Sequence, residues 1–464
     1  MPKLSTRSIK IIKTCNLYLC FLVLGMSVAV PGPTLLDLKN LVNTDMEHIA
    51  FIYTARSTGY LIGSLAGGVM FDALTRKQII LTVFNFCSAL TMLGIPWSRS
   101  IAVLTVLMTG NGISLGVLDT GGNVCCLNLW GKDSGPFYQA LHFTFGLGGL
   151  IAPLIAAPFL GDYESETLEV DLNNNCTTFP NSNIDNSSQN FSNSSLETIS
   201  EGFETTSEIP RVTYAFTIIG GFALFVTALF LIVCIIAPID NQGQTTDETQ
   251  IRKRKLSFIL LIVFLNIVLV FVETGTEVGY AQMLATYVVK GPLKLTSTIG
   301  SYMTSVFWGA FSVSRFASVF IAIKFSSLQM IIFDIIISLI GALILLFFGA
   351  SEVWAVWLST VLLGVGIASF FPAAVGWAER YITVTNKIAS SFAIGAAFGE
   401  MVIPYIISRY IDTVPRVILY VVSTSCVLST VVVFILWLIL RKKQDKYLND
   451  EGTTNVAFDA NVKA

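Results

Sequence analysis

Residues 16–30 read NLYLCFLVLGMSVAV, and residues 266–280 read NIVLVFVETGTEVGY. Laid over each other at an offset of 250, they match Asn16 with Asn266, Leu19 with Leu269, Phe21 with Phe271, Gly25 with Gly275 and Val28 with Val278. Near an offset of 249, Phe143 and Gly146 meet Phe392 and Gly395. Each segment lies in an apolar run long enough to cross a bilayer, because a helix rising 1.5 Å per residue needs about 20 residues to cover roughly 30 Å. Two matched segments at nearly one offset point to a duplicated block of membrane helices.

Working outward from those runs, the chain of 464 residues is 53% hydrophobic, only 12% charged, and contains 33 Phe and 35 Gly. Soluble domains carry about twice that share of charge. The mean hydropathy of +0.71 fits a chain that crosses a membrane many times. Twelve candidate spans can be marked: 10–33, 47–71, 78–97, 101–129, 136–160, 211–237, 256–288, 297–323, 328–349, 353–378, 388–411 and 417–440. The polar stretch 238–255, ending in RKRK, divides them six and six. The expected architecture is an all-α membrane protein of twelve transmembrane helices in two pseudo-symmetric six-helix bundles. The first bundle takes residues 1–237, a cytoplasmic linker 238–255, the second bundle 256–440 and a cytoplasmic tail 441–464.

Orientation follows from basic residues, which gather on the cytoplasmic side. Arg7, Lys10, Arg76, Lys77, Lys132, Lys324, Arg380 and Arg441 fall on one side, so both termini are expected in the cytoplasm. The loop 161–210 then lies outside. It carries no Lys or Arg and holds four Asn-x-Ser/Thr acceptors, at Asn175, Asn186, Asn190 and Asn193, which are glycosylated only on the outer or lumenal face. The eight cysteines show no ligand spacing that suggests a metal site. Neither a phosphate-binding loop nor a nucleophile elbow appears in a suitable context, so an ATP-driven pump and an enzyme are not expected. Neither is nucleic-acid binding.

Ionisable groups in such spans face the bundle interior, pair, or line a wet path, because a charge at the bilayer centre costs at least about 2.5–3.5 kcal/mol. Those noted here are Arg56, Asp119, His142, Glu273, Glu277, Arg315 and Glu400. Asp119 and Asn123 stand four apart on one helix face, and Gln139 and His142 three apart on the next helix. Glu273 and Glu277 are again four apart; two carboxylates on one face repel unless a cation or proton sits with them. That pair, with Thr274 and Thr276 beside it, is the first choice for ion coupling, by Na⁺ or H⁺, with no other cofactor expected. Arg56 and Arg315 fit either a helix-holding ion pair or a transport role. Trp308 and the amides of Asn123 and Gln139 suit a cargo with hydroxyls and an apolar face, such as a sugar.

The loop GVMFDALTRK, Gly68–Lys77, resembles the major facilitator signature G-x-x-x-D-R-x-G-R-R. Gly68, Asp72, Arg76 and Lys77 keep that pattern, while Ala73 and Thr75 depart from it. The stretches Leu118–Leu154 and SVFWGAFSVSRF, Ser305–Phe316, are similar to the sodium-dependent glucose transporter branch of that superfamily, a group related to fucose permeases. The resemblance implies the major facilitator fold, a plasma-membrane location and hexose uptake coupled to Na⁺. It places Asp119, Asn123, Gln139 and His142 toward a central cavity and gives Gly68, Asp72, Arg76 and Lys77 a gating role. The PESPR-like loop of facilitative sugar porters is absent. The expected protein is therefore a secondary active transporter, monomeric and surrounded by lipid. Asp119, Asn123, Gln139, His142 and Trp308 contact the hexose, and Glu273 and Glu277 contact the ion. An H⁺-coupled or facilitative carrier of another polar solute or of lipid, and a non-transporting solute sensor, are the competing readings.

Overall fold

The computed structural model describes residues 6–74, 76–130, 134–161, 209–236, 255–382, 386–441 and 443. The spanning helices are α1 (Thr6–Ala29), α2 (Phe51–Ala73), α3 (Lys77–Gly94), α4 (Ile101–Trp130), α5 (Ser134–Ala156), α6 (Val212–Ile236), α7 (Leu256–Lys290), α8 (Ser297–Lys324), α9 (Ser327–Phe348), α10 (Val353–Ala368), α11 (Phe370–Glu379), α12 (Asn386–Ile411) and α13 (Val417–Leu440). The segments α10 and α11 together make one span, so the helices form twelve spans. Eleven of these are long and apolar enough to cross a membrane among the described residues. The twelfth, α2, has the length but carries Arg56 with many Ser, Thr, Gly and Tyr residues, because much of its surface meets other helices rather than lipid. The chain is a multi-pass membrane protein.

The packing repeats. Within the first six spans α2 lies on α4, α1 on α5 and α3 on α6; within the last six α8 lies on α10, α7 on α12 and α9 on α13. These are the same pairings of span numbers, shifted by six. The match of Gly25 with Gly275 now has a physical cause. A Cβ on Gly25 would collide with the Phe145 backbone on α5, and one on Gly275 with Gly399 and Ile403 on α12. Both crossings bring backbones into contact, which small residues permit in membranes. The other pair behaves differently. Gly146 packs across the halves against Ser312, whereas Gly395 packs within its own half against Ile267.

Two helix pairs carry most of the contact between the halves: α5 on α8, and α2 on α12. Most of the polar groups described below hang on these four helices and on α1, α4, α7 and α10.

Span ten, marked over 353–378, is one membrane-length unit, Val353–Glu379, interrupted at Ser369, with Pro372 in the first turn of α11. A proline is tolerated at that place because the first-turn N–H groups have no helical partner. The break leaves the last carbonyls of α10 free for other donors, and α8 uses two of them.

Candidate functional site

Asp119 is the centre of a half-buried polar cluster. The close crossing of α2 and α4 sets it up: a Cβ on Gly63 would meet the Ile113 carbonyl, and one on Gly116 the Tyr60 carbonyl. With backbones that near, the Tyr60 hydroxyl donates to Asp119 Oδ2 at 2.6 Å, the length of a charge-assisted O–H···O⁻ bond. Asn123, one turn on, donates its amide to Asp119 Oδ1 at 3.2 Å. The Asn123 Oδ1 is buried and accepts from no group among the described residues.

Arg315 on α8 brings the positive charge. Its Nε donates to the Ala368 carbonyl at 3.1 Å, at the broken C-terminus of α10, where the helix dipole favours a cation. The neighbouring Ser314 hydroxyl donates to the Val365 carbonyl at 3.0 Å. The guanidinium stacks 4.6 Å over the Phe311 ring. Held this way, Arg315 acts electrostatically on Glu277, Tyr138 and Asp119. One fixed cation thus serves carboxylates from both halves. His142 on α5 feels the same charge and sits edge-on to Phe21, with ring centroids 5.8 Å apart, and to Tyr138, at 4.7 Å.

Arg56 makes a second centre. It is buried, donates through Nη1 to the Val28 carbonyl at 3.0 Å and is electrostatically coupled to Glu400 on α12. The same Val28 carbonyl accepts from Gln282 Nε2 of α7 at 2.6 Å. Helices from both halves therefore meet at one point.

The hydrogen bonds and ion pair between the halves lie toward one end of the molecule. Arg409 pairs with Glu47 at 2.8 Å, and the Ser408 hydroxyl donates to the Met46 carbonyl at 2.8 Å. Ser301 donates to the Pro153 carbonyl at 2.6 Å, and Thr58 lies 3.8 Å from Met401 Sδ. Toward the other end from Gly146 and Ser312, α5 and α8 meet through the ring pair Phe143–Phe316. This conformation is shut at the Met46 end.

Of the residues singled out from the sequence, Asn123 bonds Asp119, and Asp119, His142 and Glu277 are within electrostatic reach of Arg315. Gln139 is half-buried one turn before His142 on α5. Trp308 lies elsewhere: it is 1% exposed, seated on Gly149 and walled by Phe145, Phe307 and Phe311. Its Nε1 has no partner among the described residues. Glu273 and Glu277 have different neighbours. Glu277 interacts with Arg315, while Glu273 stands against Ser429 of α13 and within reach of Asp334 on α9. Gly68 is half-buried near the end of α2, Arg76 is exposed in the loop that follows, and Lys77 starts α3. The side chain of Asp72 and the acceptors Asn175, Asn186, Asn190 and Asn193 lie outside the described residues. Sequence reasoning missed Tyr60, Tyr138 and Asp334. Asp334, an aspartate inside FDIIISLI, carried the same signal as Asp119.

The chain also resembles known proteins. Residues 17–167 match the family model of the Major Facilitator Superfamily. The chain is 33% identical over 415 residues to "Sodium-dependent glucose transporter 1" of Danio rerio, a match covering 89% of this chain and 66% of that protein. It is 31% identical over 431 residues to "Sodium-dependent glucose transporter 1A" of Mus musculus, covering 92% and 95%. Among solved structures, a bacterial homolog of the human lysosomal transporter Spinster, inward-facing and unoccupied, superposes with a TM-score of 0.60 at 10% identity, covering 93% of this chain and 95% of that one.

Proposed function

The chain belongs to the major facilitator superfamily, on the branch of the sodium-dependent glucose transporter 1 proteins, and we propose that it carries a hexose such as glucose across the plasma membrane by alternating access, driven by Na⁺. It is a membrane transporter for a small molecule rather than an enzyme. The observation that carries the reading is the half-buried cluster of Asp119, Tyr60, Asn123, His142, Glu277 and Arg315, built by helices of both halves. Such groups are costly in a membrane unless cargo, ion or water uses them.

The chemistry suits a sugar. Its hydroxyls donate to the carboxylates of Asp119 and Glu277 and accept from Arg315 and the amide of Gln139. The free Oδ1 of Asn123 is ready to accept one more. Tyr138, which already flanks His142, offers ring surface to the apolar face of a pyranose. Coupling falls to α7, through Glu273 and Glu277. A bound cation drives transport only if it favours one conformation or strengthens sugar binding. By the distribution of basic residues the closed Met46 end is extracellular and both termini are cytoplasmic. The glycan acceptors in the loop after α5 support the same orientation.

The test is uptake of radiolabelled glucose by the purified full chain in proteoliposomes, with Na⁺ or K⁺ outside and at several pH values. The proposal expects uptake that needs Na⁺ and is competed by other hexoses. Uptake indifferent to Na⁺, or driven by a pH gradient alone, rejects it.

A further inference from the structure

Two basic stretches that are far apart in the sequence come together at one end of the second half. Lys255 closes the run RKRK before α7, and Arg441 opens the run RKK after α13. The two helices pack against each other. Phe258 and Ile259 of α7 rest on a buried cluster that includes Leu436 and Leu440 of α13. The start of one helix and the end of the other therefore share a level in the membrane. Lys443 reaches across the seam, with its Nζ 5.7 Å from the centre of the Phe258 ring. Arg441 stays on its own helix, its guanidinium 5.0 Å from the centre of the Trp437 ring. Lys255, Arg441 and Lys443 are all exposed. Among the described residues no carboxylate pairs with any of the three.

Below these cations the surface is aromatic. Phe434, 56% exposed, and Trp437, 36% exposed, stack with ring centroids 5.8 Å apart. Spacings of three and four residues put Phe434, Trp437 and Arg441 on one face of α13. Lipid covers the exposed face of a spanning helix, so this ladder runs from the acyl chains up to the headgroups, the level that Trp favours. The rings hold the cations without neutralising them, because a ring offers a quadrupole and no net charge. The first amides of α7, at the exposed Leu256 and Ser257, have no helical acceptor and also favour an anion.

We infer that the joint end of α7 and α13 is a binding site for an anionic phospholipid, its headgroup phosphate held by Lys255, Arg441 and Lys443 and an acyl chain lying along Trp437 and Phe434. That the lipid comes from the cytoplasmic leaflet, where anionic phospholipids are found, rests on the orientation proposed above. A soluble phosphate would use the cations and leave the aromatic ladder idle. Held at the seam, the lipid ties the start of α7, the helix of Glu277, to the end of α13.

The experiment titrates the purified full chain in detergent with dioleoyl phosphatidylinositol bisphosphate or dioleoyl phosphatidylcholine and reads the bound lipid by native mass spectrometry. The wild type is expected to hold the anionic lipid more tightly. One basic residue near a headgroup is worth about fivefold in affinity, so Arg441→Gln and Lys443→Gln each weaken the anionic lipid about fivefold and leave phosphatidylcholine unchanged. Trp437→Ala removes no charge and weakens the same lipid. Lys324→Gln, at the last residue of α8, binds as wild type. Equal losses in Lys324→Gln and Arg441→Gln overturn the proposal, because they mean diffuse attraction to the whole basic face. So does a wild type that holds phosphatidylcholine as tightly, or one that binds free inositol trisphosphate as tightly as the lipid. A micelle has no sides, so an inverted orientation leaves the binding intact and changes only the leaflet that supplies the lipid.

Discussion

Ser408→Ala tests whether the two halves separate at the Met46 end. The hydroxyl of Ser408 on α12 and the Met46 carbonyl are both buried and 2.8 Å apart across the halves. The Met46 carbonyl also accepts from the Ala50 amide at 3.2 Å, so deleting the hydroxyl strands no acceptor. The loss is therefore one ordinary hydrogen bond, about 1 kcal/mol. That bond exists only while this end is closed, so the closed-to-open ratio falls about fivefold. The adjoining Arg409–Glu47 pair is more than two-fifths exposed on both sides. An exposed pair contributes about 0.2–1 kcal/mol. Combining Ser408→Ala with Arg409→Ala takes the shift to between about eightfold and 30-fold, less if the two contacts act as a unit. The assay is a pair of spin labels on Phe51 and Tyr410, both exposed at this end, with the distance distribution measured in lipid nanodiscs. The longer-distance population grows in the single variant and grows again in the double. Unchanged populations, or a shift toward the short distance, refute the assignment of these contacts as the gate.

Other outcomes follow from the same geometry. Tyr60→Phe removes the 2.6 Å donor to Asp119; a charge-assisted bond is worth about 1.5–3 kcal/mol, so sugar affinity measured by calorimetry falls about tenfold or more. Arg315→Lys keeps the charge but loses the planar group that bonds Ala368 and stacks on Phe311; hexose uptake drops at least tenfold while the protein remains folded by its thermal midpoint. Glu277→Gln is expected to leave sugar uptake no longer responsive to the Na⁺ gradient; full Na⁺ dependence in this variant counts against a coupling role for Glu277. Gly112→Val places atoms on the Arg56 carbonyl at the α2–α4 crossing; overpacking of this kind costs about 1–3 kcal/mol or more, read as a lower thermal midpoint.

The number and order of the spans were legible because crossing a bilayer demands long apolar runs. The pairing of Asp119 with Asn123 was legible because four residues on a helix return to one face. What lay beyond reach was set by contacts between helices. Tyr60 looks like one more aromatic until the glycines of α2 and α4 bring their backbones together. Glu273 and Glu277 share a face by spacing, yet that face spans two neighbourhoods, Arg315 for one and α9 with α13 for the other. The break at Ser369 has meaning only through Arg315 and Asp334, which reach it from separate helices. Gly59, Gly63 and Gly67 recur every four residues along α2, and each lies close against α4.

The central claim is that the Asp119 cluster lies on a path that water and cargo reach from each side in turn. Asn123→Cys, in a chain whose native cysteines are replaced, tests it with a membrane-impermeant thiol reagent applied from one face and then the other, with and without glucose. The account predicts labelling from both faces, with rates that trade off when the Ser408 gate is weakened and that fall when glucose is bound. A thiol unreactive from both faces, with or without sugar, contradicts it.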